Sequence, residues 1–152
     1  DLGTLGWLEA TGEDFPYQLS LPRPSSFAVT IDGQTLPCQE PPWSHLTAID
    51  TTTGDIAWRI PLGVSDSLPP GKQNTGRPGR AAALITASDL LFIASTDDNR
   101  FRGLRASTGK ILWERQLNRR GNANPMTYLD ASGRQLVAIA ATDELIVYGL
   151  SE

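Results

Sequence analysis

Two stretches of this chain are copies of one another. Leu46-Thr-Ala-Ile-Asp-Thr-Thr-Thr-Gly-Asp-Ile-Ala-Trp-Arg-Ile-Pro-Leu62 returns as Phe101-Arg-Gly-Leu-Arg-Ala-Ser-Thr-Gly-Lys-Ile-Leu-Trp-Glu-Arg-Gln-Leu117, with Thr53, Gly54, Trp58 and Leu62 answered by Thr108, Gly109, Trp113 and Leu117. Both the glycines and the tryptophans stand 55 positions apart. In each copy a short run with apolar and β-branched residues meets a Thr-Gly turn. A second run follows, in which Ile56, Trp58, Ile60 and Leu62 alternate, so that a pleated strand points them to one face. The unit is a β-hairpin whose turn glycine can take the positive φ that other residues resist. Its tryptophan carries a large apolar ring with an N–H that still needs a partner, which suits a seam between packed sheets.

One hairpin cannot bury such a face, but stacked copies can, and a repeat of this length predicts a propeller or a similar array. The rest of the chain reads as more of the same. Ala81 to Thr86 and Leu90 to Ser95 are apolar runs that lead through Asp97-Asp98-Asn99 into the second copy, making a complete four-stranded blade between residues 81 and 117. Asn124 to Tyr128, Gln135 to Ala141 and Leu145 to Leu150 supply three more strands, and a fourth is missing. No helical period of useful length occurs. The expected fold is therefore all-β: a partial β-propeller of four-stranded antiparallel blades with tryptophan-docking repeats.

The expected layout is a single partial propeller over residues 1–152. Residues 1–35 are an irregular lead-in, rich in Gly, Pro and Ser to about residue 26, ending in a hairpin signalled by Phe27 to Ile31 and Asp32-Gly33. Residues 36–62 end one blade, 63–80 form a long loop, 81–117 a whole blade and 118–152 an incomplete last one. Prolines 37, 41 and 42 lack ladder donors, so Leu36 to Trp43 reads as a loop pinned by Trp43. The 63–80 connection exceeds the usual loop length, and such loops are either functional or disordered.

The 152 residues suffice to hide roughly 68–70% of the unfolded surface. Thirteen basic residues against seventeen acidic, net −4, give no broad footprint for nucleic acid or anionic membrane, although Arg77, Arg80, Arg119 and Arg120 cluster locally. The lone Cys38 can form no internal disulfide and reads as inert. No apolar run approaches the length of a bilayer span. A start at Asp1-Leu2-Gly3 without methionine suits a processed chain or a piece of something longer.

The residues around the first repeat resemble a known family. Ala48-Ile-Asp50-Thr-Thr-Thr53-Gly54-Asp-Ile-Ala-Trp58 is similar to the tryptophan-docking motif of quinoprotein dehydrogenases that use pyrroloquinoline quinone (PQQ). Leu36 to Trp43, Leu91 to Asn99, Pro125 to Tyr128 and Gln135 to Ala141 resemble, in the same order, the C-terminal part of the glucose/quinate/shikimate branch, so that the likeness covers roughly residues 27 to 150. The resemblance implies an eight-bladed propeller holding PQQ and Ca²⁺ near its axis and oxidising a sugar or alcohol in the periplasm, soluble or tethered through an N-terminal anchor. This chain would supply about three blades, inactive and without cofactor when isolated, and would pair with the remaining blades or self-associate.

The family's metal ligands and catalytic carboxylate match nothing here, so the resemblance assigns no catalytic residue and no metal ligand. It does carry over one cofactor position. Gly76-Arg-Pro-Gly-Arg80-Ala81-Ala82 resembles the approach to a blade's inner strand, where Arg80, through its N–H or guanidinium, and Ala81 would lie against the quinone. Here Ala81-Ala82 replaces the family's glycine pair, Arg105 stands where the first copy has Asp50, and Gly103 where it has Ala48. After Ala141 the chain passes directly through Thr142-Asp143-Glu144 into its last strand, where the family has a longer loop.

Residues outside those motifs have plainer readings. His45 has no second ligand at metal spacing, and Asp97, Asp98 and Asn99 suit a solvated turn better than a cation site. Function is thus expected to be that of a segment of a PQQ-dependent dehydrogenase. The alternative is a non-catalytic propeller module serving as a binding or assembly scaffold, because repeat architecture does not itself carry chemistry.

Overall fold

The computed structural model describes residues 7–10, 17–20, 28–31 and 34–149. Every regular element among them is a strand: β1 (Trp7–Ala10), β2 (Tyr17–Ser20), β3 (Ala28–Ile31), β4 (Gln34–Pro37), β5 (His45–Ile49), β6 (Ile56–Pro61), β7 (Leu84–Ile85), β8 (Leu90–Ile93), β9 (Arg100–Arg105), β10 (Ile111–Gln116), β11 (Met126–Leu129), β12 (Gln135–Ala141) and β13 (Glu144–Gly149). All pairings are antiparallel. The chain divides into two compact units, residues 1–40 and 41–152.

The first unit holds two hairpins, β1–β2 and β3–β4. The former falls where the sequence shows no period and an irregular lead-in is expected; with four residues per strand there was too little pattern to read. The β3–β4 pair closes Ile31 onto Gln34 across Asp32-Gly33, which lie outside the described residues. Pro37 ends β4 opposite Ala28, so pairing reaches one residue into the proline-rich stretch.

In the second unit, β5–β6 is a two-stranded sheet, β10–β9–β8–β7 a four-stranded sheet, and β11–β12–β13 a three-stranded sheet. Two apolar clusters occupy the two seams between them. Leu62, Leu91, Ile93 and Leu104 are buried with Leu46, Trp58 and Ile60 packed against them. Ala94, Phe101, Leu117, Val137, Ile139 and Ala141 are buried on the other side, with Phe92, Trp113, Ile146 and Tyr148 against them. Strand β9 lies between the two. Strict alternation sends Phe101 into one cluster and Leu104 into the other, and both side chains are fully buried.

The two repeat copies have matching registers, with Trp58 opposite Ala48 and Trp113 opposite Gly103. Their turns are also built alike: the Gly54 N–H donates to the Asp50 carbonyl at 2.7 Å, and the Gly109 N–H to the Arg105 carbonyl at 2.8 Å. In the first turn the Asp50 carboxylate accepts from both the N–H and the hydroxyl of Thr52. Arg105 cannot do this, and Asp89, from the turn between β7 and β8, replaces it by accepting from the Ser107 N–H and hydroxyl, each at 2.7 Å. The carboxylate missing from the second copy has been supplied from a neighbouring loop.

Candidate functional site

The long connection from Gly63 to Arg80 is an ordered strap. Its returning arm lies along its outgoing one, with Gly76 N–H donating to the Gly63 carbonyl at 2.9 Å and Arg77 N–H to the Leu62 carbonyl at 2.8 Å. Ser65 and Thr75 are buried and share a hydroxyl hydrogen bond of 2.7 Å. Gly76 has φ +70° and sits so close to Ser44 that a Cβ there would lie 2.3 Å from the Ser44 carbonyl oxygen, so no side chain fits.

The strap is tied to β9 through Asp98. This carboxylate accepts from the Val64 N–H at 2.8 Å, from the Thr96 hydroxyl at 2.7 Å, and from the Arg102 guanidinium, whose side chain is as buried as its own, at 1% exposure each. Arg102 Nε also reaches Glu114 at 2.8 Å, Arg100 pairs with Glu114 and Asp66, and Asp66 lies on the strap. Burial pushes the Asp98 carboxyl up, but the Arg102 guanidinium, the Thr96 hydroxyl and the Val64 N–H outweigh it and hold the group below the usual aspartate range. Neighbouring Asp97 makes a two-pronged pair with Arg77, at 2.7 and 2.9 Å. The Asp97-Asp98-Asn99 turn is therefore not the solvated turn expected: Asp98 is buried and neutralised by an arginine four residues on. The signal lay in Arg100, Arg102 and Leu104, which alternate onto one strand face, so that a buried face had to contain cations needing carboxylates.

Beyond the strap, Gly79 bridges to Thr96 and the chain enters the four-stranded sheet. Arg80 N–H donates to the Ser95 carbonyl at 3.1 Å, Ala81 N–H to the Ser95 hydroxyl at 3.1 Å, and Ala82 N–H to Asn124 Oδ1 at 2.8 Å. The backbone donors of Arg80 and Ala81 are thus engaged inside the protein. The Arg80 residue is exposed, and its guanidinium makes no ion pair or hydrogen bond among the described residues. Ala81 is half-buried beside it. Gly121 packs against Ala94, which brings the loop carrying Arg119 and Arg120 to the same end of the sheets as Ser95 and Arg80. No group of three His, Cys, Asp or Glu side chains among the described residues is arranged to hold a metal ion, and the His45 Nδ1 lies 3.4 Å from Arg59 Nη2.

Both tryptophans of the repeat face the following sheet, but they meet different neighbours. Trp58 donates its indole N–H to the Ala106 carbonyl at 2.9 Å, and its ring lies against Gly109, φ +71°, where an added Cβ would come within 2.7 Å of the ring. Trp113 packs edge-on against Phe101 and Tyr148, with ring centroids 5.6 and 4.9 Å away. In the first copy the docking motif is therefore a tryptophan of one blade seated on the turn of the next.

Residues 9–137 match the protein family described as PQQ: Glucose/ethanol/alcohol dehydrogenase, beta-propeller domain. The chain belongs to this family. Among curated relatives, the glycerol dehydrogenase large subunit of Gluconobacter oxydans (strain 621H) is 37% identical over 132 residues, covering 76% of this chain and 18% of its own length. Quinoprotein glucose dehydrogenase A of Acinetobacter calcoaceticus is 37% identical over 111 residues, covering 70% of this chain and 14% of its own. The quinoprotein glucose dehydrogenase of Escherichia coli (strain K12) is 38% identical over 112 residues, with the same two coverages. The chain thus spans less than a fifth of these relatives, and it is a partial β-propeller of the PQQ dehydrogenase family.

Proposed function

We propose that these residues are the C-terminal part of a PQQ-dependent dehydrogenase that oxidises a sugar or alcohol. The observation that carries this reading is the family match over residues 9–137, on a chain whose Trp58 is docked on the next sheet's turn. In the whole enzyme the bound quinone accepts the electrons taken from the substrate, and the polypeptide supplies binding and orientation. The Arg80 guanidinium, exposed and unpaired among the described residues, suits a carboxylate or carbonyl of the quinone, because its planar fork matches two oxygens at once. The engaged N–H groups of Arg80 and Ala81 fix the backbone that presents it. Ca²⁺ ligands and the catalytic carboxylate are supplied by other blades.

The enzyme works in the periplasm, and the isolated segment, lacking most of its propeller, turns over no substrate. Its layout is that of one blade's outer strands, a strap over residues 63–80, a complete blade within 81–117 and an incomplete last blade. The test is titration of the full-length protein with PQQ and Ca²⁺ while following dye reduction with sugars and polyols. Saturable binding with reduction supports the proposal. Absence of both leaves the non-catalytic scaffold. Replacing Arg80 with Ala should weaken PQQ binding severalfold, with partial recovery for Arg80→Lys; unchanged binding removes Arg80 from the site.

A further inference from the structure

Residues 77 to 81 are stitched to residues 95 to 97, in the turn from β8 to β9, by a contact at every position. Arg77 pairs with Asp97 through its side chain, the Pro78 carbonyl accepts from the Asp97 N–H at 3.1 Å, and Gly79 bridges to Thr96. The last two contacts both fall on Ser95: its carbonyl accepts from the Arg80 N–H and its hydroxyl oxygen from the Ala81 N–H, each at 3.1 Å. Ser95 is 6% exposed and has φ +44°; among the described non-glycine residues with positive φ it is the one that is buried. Gly79 makes room for it, because an added Cβ there would lie 2.5 Å from Ser95 Oγ.

A residue with a side chain avoids this backbone region unless its surroundings hold it there, and positions so held gather at sites that need a group set in advance. Here the conformation lets one residue take two successive N–H groups, with its carbonyl on Arg80 and its hydroxyl on Ala81. The base of the Arg80 side chain is therefore fixed, while its guanidinium is exposed and unpaired among the described residues. We infer that Ser95 is a positioning residue: by gripping the backbone on both sides of the Arg80 Cα, it sets the direction in which the guanidinium reaches toward the quinone. An arginine held in this way has less freedom to lose when it meets a carboxylate or carbonyl, so the grip is felt as affinity. The inference rests on Arg80 being a cofactor contact and adds to it a residue that in sequence is only the end of the apolar run from Leu90.

The test uses the full-length protein with Ca²⁺ and follows PQQ binding by calorimetry. Ser95→Ala and Ser95→Gly should each weaken binding about threefold to tenfold, as expected when one side chain loses its pre-ordering. Glycine takes φ +44° without strain, so Ser95→Gly should be no less stable than Ser95→Ala, and its weaker binding is then no consequence of misfolding. In an Arg80→Ala background, Ser95→Ala should weaken binding no further; an equal loss in both backgrounds would overturn the inference by showing that Ser95 supports the fold and not the arginine. Without PQQ, the Ala81 amide should exchange hydrogen faster in Ser95→Ala, read by mass spectrometry on a peptide spanning residues 79–84, and unchanged exchange would overturn the grip itself. Native affinity in both Ser95 variants beside a weakened Arg80→Ala removes Ser95 and leaves Arg80 in place, whereas unchanged binding in Arg80→Ala removes both.

Discussion

Trp58 and Gly109 lie 51 positions apart in sequence and in van der Waals contact in space, the indole of one blade resting on the turn of the next. The contact is what makes the repeat a repeat in three dimensions. It converts a local turn requirement into a tertiary one, and the two copies of the turn glycine let those requirements be measured separately.

Gly54 and Gly109 have φ of +82° and +71°, but an added Cβ at Gly54 meets nothing within 4 Å, whereas at Gly109 it strikes the Trp58 ring. Gly54→Ala should therefore cost only left-handed backbone strain, about 1 kcal/mol. Gly109→Ala adds overpacking and should cost about 3 kcal/mol. Urea unfolding of the two variants checks the difference; equal losses would mean that the ring does not rest on the turn.

The indoles themselves give a second comparison. Trp58→Phe forfeits a hydrogen bond to Ala106 that Trp113→Phe does not have to lose. The first substitution should be the more destabilising by about 1 kcal/mol, the usual net worth of such a bond. Fluorescence-independent unfolding, by circular dichroism, is the suitable measurement because both substitutions remove a fluorophore.

Asp98 and Arg102 form a buried pair whose rupture leaves the buried guanidinium with Glu114 as its remaining carboxylate. Asp98→Asn should cost about 3 to 5 kcal/mol, and the Asp98→Asn, Arg102→Met double variant should recover part of that loss. The pH dependence follows in sign. The folded Asp98 carboxyl titrates below its unfolded value of about 3.9, so the unfolded state binds the proton more readily. The pair's contribution is fully present above the unfolded value and is lost as pH falls through the folded one. Stability measured from pH 6 downward should fall less steeply below about pH 4 in Asp98→Asn than in the native chain.

The strap offers a kinetic readout. Gly76→Ala must displace Ser44 or the strap, and Lys72 stands exposed within it. Trypsin should cleave after Lys72 severalfold faster in the variant, because local opening feeds proteolysis. An unchanged rate would show that the arms of the strap hold without the Gly76 seat.

The sheets could be read in advance where a chemical signal repeats. The Thr-Gly turns and alternating runs fixed β5, β6, β9 and β10 within a residue or two. What could not be read depends on neighbours distant in the chain. Asp97-Asp98-Asn99 has the composition of a wet turn; its one pointer to burial is the alternation of Arg100, Arg102 and Leu104, and the Val64 N–H that completes the site comes from the distant strap. Asp89 gives no hint in sequence that it stands in for the carboxylate Arg105 lacks. The strap's length marked it as unusual, but its order comes from Gly63, Thr75 and Gly76 meeting across many residues. Arg80 is proposed only through likeness to a family; nothing in the local chemistry of Gly-Arg-Ala distinguishes it from any exposed arginine.

The docking of Trp58 on the following turn also gives the stack a direction. The fit of the first copy is decided by the unit after it, and the requirement it passes along is small: a single carbonyl and one residue without a side chain. A unit could be duplicated, deleted or exchanged while disturbing the footing of only one indole, so an assembly of this kind can change its number of members without redesigning any of them.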